Sequence, residues 1–301
     1  MLSIPALEAP IQVIDQGAWS IKGRRKAQED AFILHEVHDT KDRSILLAGV
    51  FDGHLGAAAS SFARDDLPGT FSASLNLGDG APVQSLLEIS WNQCCDSYRA
   101  SCLSEDDCVA EYDPKEGILM AYTGSQDAVA GTTATVFALD KQTSHLAALN
   151  CGDSRGLVMD SNGQLVFQTI DHKPESEIER LTAGAEQGLG YSIPKCRVAR
   201  WTLEVGDYDY AVARSLEGSF ATSKGIVSLA DVSVLQAESG MTALVATDGL
   251  WEVIDSAEAC RIVSRLKSQK ASASDAAKAL CSLAYEKATT DNVSVVVIYL
   301  D

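Results

Sequence analysis

Three acidic residues stand where an apolar run ends or begins. Asp52-Gly53 directly follows Ser44-Ile-Leu-Leu-Ala-Gly-Val-Phe51, Asp248-Gly249 follows Met241-Thr-Ala-Leu-Val-Ala-Thr247, and Asp291-Asn292 precedes Val293-Ser-Val-Val-Val-Ile-Tyr-Leu300. A single Asp-Gly pair reads as a turn closing a hairpin, with no chemistry attached. In an antiparallel sheet, however, the end of one strand lies beside the start of its neighbour, so acids after two strands and before a third can share one edge. Glu29-Asp30, ahead of Ala31-Phe-Ile-Leu34, brings the set to five carboxylates, joined by the Gly53 carbonyl. Left alone, such a cluster repels itself and raises the pKa values of its members. Divalent cations resolve that conflict, and ligands that are all oxygen select Mg²⁺ or Mn²⁺ over zinc.

The elements that must position these acids follow from hydrophobic period. Short apolar runs at 44–51, 132–139, 145–150, 156–159, 164–167, 241–247 and 293–300 read as strands. Asp160-Ser-Asn-Gly163 and Asp140-Lys-Gln-Thr143 have hairpin length and turn composition, so the sheet is expected to be mainly antiparallel. Helical spacing appears at 83–100, through Val83, Leu86, Leu87, Trp91, Cys94, Cys95 and Tyr98, and at 275–287 behind a Ser274 cap, with weaker signals at 256–267 and 175–183. The expected fold class is α+β: a layered sandwich of two mainly antiparallel β-sheets flanked by α-helices. With neither repeat nor linker to divide it, the chain reads as an N-terminal extension over 1–16 and one domain over 17–301.

Composition narrows the function classes. Twenty-four Lys and Arg against 42 Asp and Glu leave a formal charge of −18, which argues against non-specific binding to nucleic acid or an anionic membrane. The eight cysteines show no regular CxxC pairing and read as free thiols of an intracellular, reducing compartment, an organelle included if a targeting peptide has been removed. No stretch approaches a membrane span.

Seven motifs, in order, then carry a resemblance. They are Arg25-Lys-Ala-Gln-Glu29-Asp30, Phe51-Asp52-Gly53-His54-Leu55-Gly56, Gly131-Thr132-Thr133-Ala134, Asn150-Cys-Gly152-Asp153-Ser154-Arg155, Asp171-His172-Lys173-Pro174, Val245-Ala-Thr-Asp248-Gly249-Leu250-Trp251 and Asp291-Asn292-Val-Ser-Val. Across roughly residues 17–300 the chain resembles the metal-dependent protein phosphatases of type 2C. The resemblance implies a hydrolase of phosphoserine and phosphothreonine that uses a metal-bridging hydroxide, with phosphorylated proteins as partners and a monomeric state. It implies two Mn²⁺ or Mg²⁺ ions: Asp52 bridges them, Asp248 and Asp291 complete one site, Glu29 and the Gly53 carbonyl the other, and Asp30 acts through water. Asp153 is implied to share a weaker third ion with Asp248, Arg25 to grip the phosphate and His54 to protonate the leaving oxygen. The residues alone leave Arg24 a rival to Arg25, and His54 open to a plain turn role; His35 and His172 read as structural. A catalytically silent module that binds phosphorylated partners, or a two-metal hydrolase of small phosphate esters, stand as the alternatives.

One stretch departs from the pattern. Arg214-Ser215-Leu216 is followed by Glu217-Gly218-Ser219, where relatives carry Gly-Asp. An altered substrate-facing loop and a weaker third metal position are the expected consequences. Segments 101–130 and 184–209 are expected to carry partner recognition.

Overall fold

The computed structural model describes residues 10–301 except 79, 103–107, 114–117, 124–128, 198 and 199. Ten strands, in chain order, build two sheets: β1 (Val13–Ile21), β2 (Ala31–His38), β3 (Ser44–Phe51), β4 (Ala134–Asp140), β5 (His145–Cys151), β6 (Arg155–Met159), β7 (Leu165–Gln168), β8 (Asp231–Gln236), β9 (Thr242–Ala246) and β10 (Val293–Leu300). One sheet runs β1-β10-β9-β6-β7 and the other β8-β5-β4-β3-β2. Every neighbouring pair in both is antiparallel.

Strands covered on both faces explain the unbroken apolar runs. In β3, Ile45, Leu47 and Phe51 face helices α1 (Ala58–Leu77) and α2 (Val83–Cys102), whereas Leu46, Ala48 and Val50 face the other sheet. In β10, Val293, Val295, Val297 and Tyr299 face α3 (Ser256–Ser268) and α4 (Ala273–Glu286), while Val296, Ile298 and Leu300 enter the core between the sheets. The result is four layers, helix–sheet–sheet–helix, as expected from the sequence.

Several elements differ from expectation. Helix α1 has no counterpart among the expected elements: Pro68 and Gly69 lie inside it, and proline lacks an amide donor. Ala59, Ala63, Leu67, Phe71 and Leu75, all buried at four-residue spacing, hold it against β2 and β3. Helix α4 starts two residues earlier than expected. Its cap is Ser272, not Ser274: the Ser272 hydroxyl accepts from the Asp275 amide at 3.0 Å while the Asp275 carboxylate accepts from the Ser272 amide at 3.2 Å. The helix expected at 175–183 is a 3₁₀ turn, Pro174–Glu177, followed by a helix at Ile178–Glu186. β1 begins at Val13, inside the stretch expected to be an extension, because its residues pair with β10. Part of the expected recognition segment 101–130 lies outside the described residues. Segment 184–209 supplies most of a small three-stranded sheet, Lys195–Arg197, Arg200–Val205 and Tyr208–Tyr210. Among the described residues no helix is long and apolar enough to cross a membrane.

Candidate active site

Register brings the acids together before any side chain is considered. Ala31 lies opposite Phe51, which sets Glu29-Asp30 beside Asp52 at one end of its sheet. Arg155 lies opposite Ala246, and Ala246 opposite Val295, which sets Asp153, Asp248 and Asp291 along the end of the other. The two edges are tied across the sandwich: the Asp248 amide donates to Asp52 Oδ2 at 3.4 Å, and the hydroxyls of Thr247 and Ser294 donate to Asp30 Oδ2 at 3.0 and 2.8 Å. Asn292 stitches down the loop that carries Arg25 and Glu29. Its Oδ1 accepts from the Glu29 amide at 2.8 Å, and its Nδ2 donates to the carbonyls of Lys22 and Ala27 at 2.7 and 3.0 Å. Gly53 admits no side chain, because a Cβ there would lie 2.2 Å from the Glu29 carbonyl oxygen.

A cleft of about 510 Å³ opens at these strand ends, lined by Arg25, Glu29, Asp52, Gly53, His54, Asp153, Asp248 and Asp291 among others. Asp30 is not on its wall; the two hydroxyls hold it behind the others. Arg24 and Arg25 part company here. Arg24 turns to the Tyr285 ring, 5.7 Å from its centroid, whereas Arg25 reaches into the cleft and donates from Nη2 to Asp291 Oδ2 at 2.5 Å.

The acids carry more charge than the protein meets. Desolvation pushes Asp52 and Asp248 well above the carboxylate range, and the neighbouring acids add to it. Asp30 is pushed up to about 7 and Asp153 to about 6, in both cases mainly by loss of water. Arg25 is the one cation hydrogen-bonded to any of these acids among the described residues. As the side chains stand, no three acids, histidines or cysteines among the described residues close around a single point. The donor set is nonetheless oxygen throughout, recessed and unneutralised, which suits a hard divalent cation.

Comparison with known proteins agrees with this architecture. The family model "Protein phosphatase 2C" matches residues 14–293. The chain belongs to the protein phosphatase 2C family. It is 28% identical to Protein phosphatase 1B of Homo sapiens over 296 residues, covering 94% of this chain and 56% of that one, so it spans little more than half of that relative. It is 27% identical to Probable protein phosphatase 2C 68 of Oryza sativa subsp. japonica, covering 94% of this chain and 77% of that one. Among solved structures, the serine-threonine phosphatase 2C of Toxoplasma gondii shares the fold with a TM-score of 0.74 at 18% identity, over 97% of this chain and all of that one. The Mycobacterium tuberculosis serine/threonine phosphatase does so with a TM-score of 0.61 at 19% identity, over 96% and 98%.

The remaining phosphatase 2C motifs turn out to brace the acids. Arg155 donates twice to Asp171, at 3.0 and 2.9 Å, bonds Ser256 at 3.0 Å and lies 5.3 Å from the Trp251 ring centroid. Three motifs are thereby locked together beside Asp153 and Asp248. His172 is buried, with Nδ1 accepting from the Gly152 amide at 3.2 Å and Nε2 facing Asp231 at 3.1 Å, the structural role expected of it. Thr133, in the run 132–139 expected to be a strand, also clasps Asp52: its amide donates to the Asp52 carbonyl at 2.9 Å and its hydroxyl accepts from the Asp52 amide at 3.2 Å. Two further residues meet His54, and neither has a sequence signal that pairs it with that ring. Tyr210 meets the His54 ring edge-on, with centroids 5.5 Å apart. Glu217, noticed only as a break in pattern, lies 2.6 Å from His54 Nε2. Desolvation works to lower the His54 pKa, but the Glu217 charge and hydrogen bond outweigh it and hold the ring above its ordinary value.

Proposed function

We propose that the chain is a metal-dependent protein serine/threonine phosphatase that hydrolyses phosphoserine and phosphothreonine by in-line attack of water. The catalytic unit is residues 17–301, with β1 extending it back to Val13. One observation carries the reading: Glu29, Asp52, Asp153, Asp248 and Asp291, from five separate stretches of chain, line one cleft together with Arg25 and His54. The names of the curated relatives support protein substrates.

We assign Asp52, Asp248, Asp291, Glu29 and the Gly53 carbonyl to two Mn²⁺ or Mg²⁺ ions, and Asp153 with Asp248 to a weaker third. Divalent ions held there supply a water acidic enough to attack phosphorus near neutral pH, and positive charge for the phosphoryl oxygens. The chain's own residues do the rest. Asp30, fixed by Thr247 and Ser294, is assigned to the same ions through water. Arg25, half-exposed on the cleft wall, presents a planar fork suited to phosphate oxygens. His54 supplies the proton that a serine or threonine alkoxide needs on leaving. The enzyme works as a monomer on phosphorylated proteins.

The test is hydrolysis of a phosphothreonine peptide by the full chain. After chelation the protein should stay folded and lose activity, and Mn²⁺ or Mg²⁺ should restore it while Zn²⁺ does not. Full activity in excess chelator would overturn the metal assignment; no activity under any metal would favour a silent phosphopeptide-binding module.

A further inference from the structure

The residue that breaks the family pattern is not on the surface of a loop. Glu217 is 1% exposed, beneath the cleft. Its place follows from a short ladder. Gly53 and His54 pair with Thr132 and Gly131, and Leu216 pairs in turn with Thr132 through hydrogen bonds of 3.0 and 2.8 Å. Glu217 is therefore delivered to the far side of Gly131 from His54, and a glycine is required between them: a Cβ on Gly131 would lie 2.2 Å from Glu217 Oε1 and 2.3 Å from His54 Nε2. Glu217 Oε1 accepts from Ser215 Oγ at 2.5 Å and meets His54 Nε2 at 2.6 Å. Glu217 Oε2 has no hydrogen-bond partner among the described residues. A carboxylate buried this deeply with one oxygen unpaired is costly unless a charged or strongly donating partner compensates it, and the His54 ring is the group placed to do so.

We infer that Glu217 is a positioning residue for catalysis: it holds the proton on His54 Nε2 and fixes the ring, so that Nδ1 is the nitrogen that serves the leaving group. A carboxylate can only accept, so the shared hydrogen belongs to Nε2. Nδ1 has no hydrogen-bond partner among the described residues, and His54 lines the cleft. Tyr210, edge-on at an interplanar angle of 88°, closes off another side of the ring. In the reaction the phosphorus–oxygen bond breaks with its electron pair going to the serine or threonine oxygen. The Nδ1 proton passes to that oxygen, and a neutral ring remains whose proton stays on Nε2, hydrogen-bonded to Glu217. Third-group orientation of an acid–base residue is a recurring device in hydrolases. This inference rests on the phosphatase reading, and its test separates the two.

Glu217→Gln keeps the size of the side chain and Glu217→Asp keeps its charge, and both are compared with Glu217→Ala and His54→Gln in the full-length protein at saturating Mn²⁺. For a phosphothreonine peptide, whose leaving group is poor, Glu217→Ala and Glu217→Gln should lower kcat by ~10-fold to ~10²-fold, as loss of an oriented acid does. KM should hardly move. For para-nitrophenyl phosphate, whose leaving group needs no proton, kcat should hold. Glu217→Asp should recover part of the loss, and the Glu217→Gln/His54→Gln double variant should be no slower than His54→Gln alone. Equal losses on both substrates, or additive losses in the double variant, would overturn the positioning role. Long-range ¹H–¹⁵N spectra of the imidazoles give a readout that needs no turnover. In its neutral form His54 should carry its single proton on Nε2 in the parent protein and redistribute it towards Nδ1 in Glu217→Ala; a neutral Nδ1–H tautomer in the parent, or spectra unmoved by the substitution, overturns the inference even if the chain hydrolyses nothing.

Discussion

Glu177 and Asp52 are both acids withdrawn from water, and the protein treats them in opposite ways. Glu177 accepts from Arg214 Nε and Nη2 at 2.9 and 2.6 Å and also from Arg180, and Arg214 reaches on to Asp231 at 2.9 Å. Desolvation alone would raise its pKa, but the two guanidinium groups more than offset that and hold it below the usual carboxylate range. Asp52 has acids for neighbours instead, and both desolvation and their charge push it up. An acid that the fold neutralises is part of the scaffold. An acid that the fold leaves unneutralised marks where something from outside must bring positive charge, and that contrast locates the reaction.

The largest effect expected is at Asp52. Asp52→Ala should lower turnover by ~10³-fold or more, the several kcal/mol that an ion contributes to such a transition state. Its thermal melt without metal should be unchanged or higher, since one of several mutually repelling charges is gone. Unfolding of this variant would make Asp52 a scaffold residue and erase the contrast. Glu177→Gln should do the reverse: urea unfolding should show a loss of about 2–3 kcal/mol from broken charged hydrogen bonds and an uncompensated guanidinium, while turnover of the folded protein changes little. Arg25→Ala, whose side chain is half-exposed, should act more mildly, raising KM about tenfold with a smaller change in kcat, as loss of one charged phosphate contact would.

The smallest and sharpest test is pH. Glu177, with its folded pKa depressed, contributes stability that is present above the unfolded carboxylate pKa of about 4.3 and is lost as pH falls through the lower folded value. Asp30 and Asp153, raised to about 7 and about 6, have the opposite sign: ionised, they destabilise the chelated fold at pH 8, and protonation relieves this as pH falls through those values. Chelated protein should therefore gain stability in urea as pH falls from 8 towards about 4, then lose it in stronger acid. Titration with Mn²⁺ near pH 6 should release protons, seen as a dependence of the calorimetric heat on buffer ionisation enthalpy. A flat profile between pH 8 and pH 6 would show that the cleft acids are already compensated within the protein.

Sequence alone settled what depends on neighbours along the chain and on the antiparallel rule. Apolar runs such as 293–300 marked the buried strands, because a strand covered on both faces has no polar side to show. Their flanking acids could then be expected on one edge; the register of β9 with β10 does set Asp248 beside Asp291, but Asp52 follows a strand of the other sheet and reaches them only through the packing of the two sheets. Other features were settled only by packing. Helix α1 overrides the local cost of Pro68 because five of its apolar side chains are buried at four-residue spacing. Arg24 and Arg25 are adjacent in a basic run, and only the folded loop sends one to Tyr285 and the other into the cleft. Glu217 and His54 lie 163 residues apart, so no local pattern could pair them. What joined them is a ladder through Gly131 and Thr132, with a glycine at the one point where a side chain would have kept them apart.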